Sequence, residues 1–219
     1  MIASEFLQTR FFIELFYSLI VVSSCLIIYF KTRKISHLTS YKGISYFKNA
    51  FLFFAIAYFS RFLFLALRIF TSKLYFGRAL FRLGFFIFVF TGLMAAISLL
   101  SSVLWKHFEN KAFNYLYLFY FCGFILALFT FIKPNPFIFI LTALLFLGTT
   151  LLSYFSDKKS KEHLSKIYLI YLFLFFAWIA NALAHFVFFI SIFMGIIIYL
   201  FSALFFILVL YKVIKRVRW

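Results

Sequence analysis

Glu14 and Arg61 are ionisable side chains set inside apolar runs long enough to cross a bilayer. An arginine at that depth costs at least about 2.5 kcal/mol on insertion scales, so a compensating partner is expected. Glu14 lies about eight residues into the first run and Arg61 about eight before the end of the second, so at ~1.5 Å per residue the two charges share a depth. The runs are antiparallel neighbours, and a paired buried charge is far less costly than an isolated one. The sequence therefore predicts a Glu14–Arg61 pair. Arg68 lies seven residues beyond Arg61, on the same helical face. Arg10 is one turn before Glu14 and is placed to share it.

A second polar group falls at a similar depth. Trp178, Asn181 and His185 are spaced i, i+3, i+7 and face one way. His185 is the one histidine within an apolar run. Two readings of these residues stand side by side. In one, the Glu14–Arg61 pair is structural and fixes the register of two helices, and His185 is a hydrogen-bonded core residue. In the other, Glu14, Arg61, Arg68, Arg82, Trp178, Asn181 and His185 line an outward-facing cavity for a small anionic or lipid-like ligand, with His185 a ligand or proton-relay group.

Other chemistries lack their residues. A retinal Schiff base requires a mid-span lysine, and Lys212 is at the end of the last run. Haem ligation between helices requires two in-span histidines. No H-E-x-x-H cluster and no Gly-rich nucleotide loop is present. Cys25 and Cys122 both fall in apolar runs, with no metal-ligand spacing. No catalytic residue, cofactor or metal is expected, and the chain is not expected to be an enzyme.

The elements that must position these residues follow from composition. Hydrophobic residues make up 67% of the chain and charged residues 12%. A soluble domain carries about 45–50% apolar residues, so the solvent here is lipid. Seven apolar runs are expected as spans, at about 6–30, 45–69, 82–105, 112–132, 137–155, 166–190 and 193–211. The fold class is an all-α integral membrane protein, a single seven-helix domain over 1–219. Lys133-Pro134-Asn135-Pro136 is the clearest turn, and 70–81 reads as an interfacial stretch. The break between the last two runs, at Ser191 to Gly195, is inferred because one helix from Lys166 to Lys212 would be about 70 Å long. Lys31, Arg33, Lys34 and Lys42 are expected in a basic loop after the first span. Val22-Ser23-Ser24-Cys25 is a poor lipoprotein signal, because Glu14 interrupts the apolar core it would need.

The net charge is +17. Most of it falls at alternate junctions between runs, which is the positive-inside pattern and not a nucleic-acid surface. With the N-terminus outside, the loops around Lys31–Lys48, Lys106–Lys111 and Lys158–Lys166 and the segment from Lys212 lie inside. Arg10, Arg68, Lys73, Arg78, Arg82 and Lys133 lie outside. The inner loops suit anionic lipid headgroups or a cytoplasmic protein partner. The expected location is the cell membrane of a prokaryote, bacterial or archaeal.

The span count, the orientation and the basic first loop leading into Gly43-Ile-Ser-Tyr-Phe-Lys-Asn-Ala-Phe-Leu-Phe-Phe-Ala resemble prokaryotic seven-helix sensor modules. Those are the membrane input domains found ahead of histidine kinases. The resemblance implies a receptor-like module that signals through a partner or through its basic inner loops. The competing classes are a small transporter or channel component and a structural subunit of a membrane complex. Few polar residues continue toward the inner face, and no internal repeat is present, which weighs against transport.

Overall fold

The computed structural model describes residues 2–39, 41–70, 77–105, 112–132, 137–159, 167–187 and 191–217. They form seven helices: α1 (Ile2–Leu38), α2 (Lys42–Phe70), α3 (Gly77–Leu104), α4 (Ala112–Ile132), α5 (Phe137–Lys159), α6 (Tyr168–Val187) and α7 (Ile192–Val217). No strand occurs among the described residues. Helix is the form that satisfies every backbone polar group within its own segment, as hydrocarbon requires. Five helices are long and apolar enough to cross a membrane, over Phe11–Leu38, Lys42–Phe64, Arg82–Leu104, Phe137–Ser156 and Ile192–Arg216. α4 and α6 carry shorter apolar stretches, Tyr117–Phe129 and Tyr168–Ala184.

Large apolar side chains face outward in stripes along the helices. Phe12, Phe16, Leu19, Ile27 and Phe30 form one on α1, and Leu200, Phe201, Leu204, Ile207 and Tyr211 form another on α7. Such continuous apolar surface is incompatible with a water-exposed monomer and is what a bilayer covers.

α1 packs on α2 and α7, α7 on α6, α6 on α5, α5 on α3, and α3 on α2. Six helices thus close on one another, and α4 packs on α3 from outside that circuit. α3 is buried along every residue from Thr91 to Leu99. Gly92, Ala95 and Ala96 make this burial feasible by letting neighbours approach closely. A Cβ at Gly92 would lie 3.1 Å from Cη2 of Trp178 on α6.

Aromatic rings fill the centre. Phe54 stacks on Phe146 at 5.8 Å and meets Phe206 edge-on at 6.0 Å. Phe206 also meets Tyr58, and Trp178 stacks on Phe88 at 6.0 Å while leaning on Phe146 at 5.6 Å. These rings come from α2, α3, α5, α6 and α7, so the interior is packed. Offset and edge-on ring pairs of this kind add about 0.5–1.5 kcal/mol each beyond area burial.

Contacts between helix ends order the bundle. Tyr29 near the end of α1 lies beneath the Lys48 amine near the start of α2, and Tyr46 on α2 meets Trp105 just past α3. Tyr154 on α5 meets Tyr168 on α6, and the Lys212 amine near the end of α7 sits 5.8 Å over Phe173 on α6. These helix ends therefore share one end of the bundle. Lys31, Arg33, Lys34, Lys42, Lys48, Lys212, Lys215 and Arg216 all belong to it, and it is termed the basic end.

The helices differ from the sequence expectation at their margins. α1 runs to Leu38, so Lys31, Arg33 and Lys34 lie on its last turns and not in a loop. At ~1.5 Å per residue α1 is about 55 Å long, well beyond the hydrocarbon thickness, and its basic turns continue as helix once past the apolar layer. α2 and α3 likewise take in residues 70 and 77–81, leaving 71–76 of the expected interfacial stretch outside the described residues. α7 begins at Ile192, three residues before Gly195, so the inferred break is present between α6 and α7. The Lys133–Pro136 turn lies outside the described residues.

Candidate functional site

The Arg61 guanidinium is the hub of a polar cluster at the end of the bundle opposite the basic one. Its Nη1 donates to Asn181 Oδ1 at 2.6 Å and its Nη2 to Tyr199 Oη at 2.5 Å. Nη2 also lies 3.4 Å from Glu14 Oε1, an ion pair between side chains 17% and 5% exposed. Tyr199 Oη in turn donates to Glu14 Oε1 at 3.2 Å. One carboxylate, one guanidinium, one amide and one phenol thus join α1, α2, α6 and α7.

The positions follow from helix periodicity and alternating direction. Glu14 and Tyr17 are one turn apart on α1, and Tyr58 and Arg61 one turn apart on α2, so each pair shares a face. α1 and α7 descend from this end while α2 and α6 rise to it, so Glu14, Arg61, Asn181 and Tyr199 reach one level. Around them the Tyr17 ring packs on Tyr199 at 4.7 Å and edge-on to Tyr58 at 5.7 Å. Tyr17 Oη and Ser202 Oγ are 2.7 Å apart, and Ser202 Oγ donates to the Ala177 carbonyl at 3.0 Å. The guanidinium carbon sits 5.6 Å from the Tyr199 ring centre and 5.8 Å from that of Phe88, so aromatic faces cover the cation where carboxylate does not.

The expected set is gathered only in part. Glu14, Arg61 and Asn181 are in one cluster. Trp178 is buried beside it, and its ring packs on Phe88, which the Arg61 guanidinium also contacts. Trp178 Nε1 is buried without a hydrogen-bond partner among the described residues. Arg82 is exposed near the start of α3, at the same end of the bundle, and has no described contact with the cluster. Arg68 and His185 lie on α2 and α6, and their side chains, like that of Arg10, fall outside the described residues. Tyr199 is the member that sequence reasoning missed, with Tyr17 and Ser202 behind it. The available signal was a tyrosine deep in an apolar run, three residues from a serine, at the depth of Glu14. Tyrosine otherwise favours membrane interfaces, where its hydroxyl is wet.

Below the cluster several hydroxyls bond within their own helices, while the buried Tyr58 hydroxyl has no hydrogen-bond partner among the described residues. Thr32 donates to the Ile28 carbonyl, Thr142 to Ile138, Thr149 to Leu145 and Thr150 to Phe146. Ser102 and Tyr171 pair across α3 and α6 at 2.9 Å. Aromatic side chains fill the centre between the cluster and the basic end. No group of His, Cys, Asp or Glu that would hold a metal ion occurs among the described residues.

No protein-family model matches the chain. It is similar to an uncharacterized protein of Archaeoglobus fulgidus, 26% identical over 182 residues, which covers 77% of each chain. No solved structure matches.

Proposed function

We propose that the chain is a seven-span protein of a prokaryotic cell membrane, N-terminus outside and C-terminus inside, that works as a sensor- or receptor-like module. Its ligand is small and anionic or lipid-like, and it binds at the outer-leaflet Arg61 cluster. The observation that carries this reading is the convergence of Glu14, Arg61, Asn181 and Tyr199 from four helices at one end, above a core closed by aromatic packing. A receptor needs a polar site open toward one side, whereas a transporter needs polar groups that continue to the other. The basic end belongs inside by the positive-inside rule, where it meets anionic headgroups or a cytoplasmic partner. The archaeal relative suits a prokaryotic setting.

The geometry supplies a mechanism. An anion reaching the partly exposed guanidinium competes with Glu14 for Nη2. Glu14 is on α1, so its displacement loosens the link between α1 and α2, and both helices run to the basic end. Thermal melts in detergent with a panel of small carboxylates, phosphates and short-chain lipid phosphates test this. At least one should raise the wild-type melting temperature in proportion to its occupancy, and Arg61→Lys, which keeps the charge but loses the planar fork, should abolish the shift. A panel without effect, or a shift retained in Arg61→Lys, contradicts the reading.

A structural role is the second reading. Both terminal nitrogens of Arg61 already have partners within the protein, which supports it. Under that reading the melts respond to substitution at Arg61 but to no ligand.

A further inference from the structure

A cavity of about 370 Å³ lies outside the six-helix circuit, between α3, α4 and α5. Leu93 and Ile97 of α3, Leu126 of α4 and Leu141 and Leu145 of α5 form its walls, and Trp105 stands at one end. Along α3 it extends from Leu93 to Trp105, about 18 Å at ~1.5 Å per residue. That is more than half the thickness of the hydrocarbon layer, which is about 30 Å. It starts at the basic end and stops near mid-depth. The Ser101 hydroxyl at its edge is already donated to the Ile97 carbonyl, at 2.8 Å. Walls of this kind do not hold water, which needs two to four polar partners. The Trp105 end is different. The Lys42 amine lies 5.1 Å over the Trp105 ring, and Tyr46 packs on the same ring. Lys42 is exposed, and among the described side chains Glu14, at the far end of the bundle, is the one carboxylate, so this amine has no described acid beside it.

We infer that this groove binds one anionic membrane lipid, with a hydrocarbon chain along α3 between α4 and α5 and its phosphate at Lys42, beside Trp105 and Tyr46. The shape fits a chain running inward from a headgroup, and charge and depth match at the one end where the groove meets the basic surface. The bound chain would join α4, which otherwise packs mainly on α3, to α5. This inference does not rest on the Arg61 site, which lies at the other end of the molecule.

Native mass spectrometry of the full chain in detergent, titrated with phosphatidylglycerol or phosphatidylcholine, tests it. The wild type should retain one phosphatidylglycerol in preference to phosphatidylcholine. Lys42→Gln should lower that affinity about fivefold, the worth of one basic residue near an anionic surface. Leu126→Trp, which fills the groove from the peripheral helix, should remove the tightly held lipid, and Arg61→Lys should leave it unchanged. Equal retention of the two lipids by the wild type overturns the inference. So does a preference unaffected by Lys42→Gln, which needs no repacking and leaves the test intact even if Leu126→Trp fails to fold. If the lipid survives in a folded Leu126→Trp, the chain lies elsewhere and the groove assignment is wrong.

Discussion

Arg61 lies within an apolar helix, toward the end away from the basic surface, and its surroundings explain how that is tolerated. Two charge-assisted hydrogen bonds, an ion pair and two aromatic faces replace the water it has lost. Tyr199 is the residue that completes this, because its hydroxyl accepts from Arg61 and donates to Glu14. Tyr199→Phe removes both bonds and leaves the ring. Hydrogen bonds to charged groups contribute about 1.5–3 kcal/mol each, so thermal melts should show a clear loss of stability in Tyr199→Phe, and an unchanged melt would mean the hydroxyl is idle. The pairing of Glu14 with Arg61 was legible in the sequence, because rare charges at equal depth on adjacent antiparallel helices have few other partners. Tyr199 was not legible in the same way. The chain has 14 tyrosines, and depth alone does not tell a buried phenol from one that reaches the interface. Trp178 sits beside the cluster and not in its hydrogen-bonded set. It shares a helix with Asn181, and its ring and the guanidinium both pack on Phe88.

At the scale of helices, composition foretold the number and rough position of the elements but not their margins. Apolar runs report where hydrocarbon is, whereas a helix continues past it wherever no proline or glycine stops it. α1 therefore carries Lys31, Arg33 and Lys34 on its final turns. That α4 lies outside the circuit was not legible, since its apolar run carries no charged residue to mark the side toward its neighbours. The small residues of α3 did mark close packing, and at Gly92 the side chain that fills the space is Trp178 of α6. The Trp178 ring at Gly92 is held by Phe88 and Phe146 and has little room to yield. Gly92→Ala gains helix propensity of about 1 kcal/mol, yet a Cβ 3.1 Å from that ring should outweigh it. A lower melting temperature for Gly92→Ala is expected, and Gly92→Ala with Trp178→Phe should recover part of it. A Gly92→Ala protein more stable than wild type would show that α6 shifts freely.

For the whole molecule, the two ends of the bundle are chemically unlike. One gathers lysine and arginine from α1, α2 and α7, and the other holds the buried ion pair. Applied to this asymmetry, the positive-inside rule predicts that the basic end faces the cytoplasm. Reporter fusions at the C-terminus should be active as cytoplasmic fluorescence and silent as exported phosphatase, and the reverse pattern would invert the membrane sidedness of the Arg61 cluster. An expected orientation was legible in the charges of the connections, which sequence order alone supplies. The closure of the six-helix circuit was not, because it depends on which aromatic side chains interlock across it.

The Glu14–Arg61 pair acts at this scale too, since its cluster ties α2 to α1, α6 and α7 at once. The most direct measurement is a double-mutant cycle by thermal or denaturant unfolding in detergent, with Glu14→Ala, Arg61→Ala and the double variant. Each single change should cost about 3–5 kcal/mol, because a charge is left buried without its partner. The double should cost clearly less than the two together, and the reversed pair, Glu14→Arg with Arg61→Glu, should recover stability lost in either reversal alone. Neutral single variants, or costs that simply add, would contradict the pairing on which this account of the molecule rests.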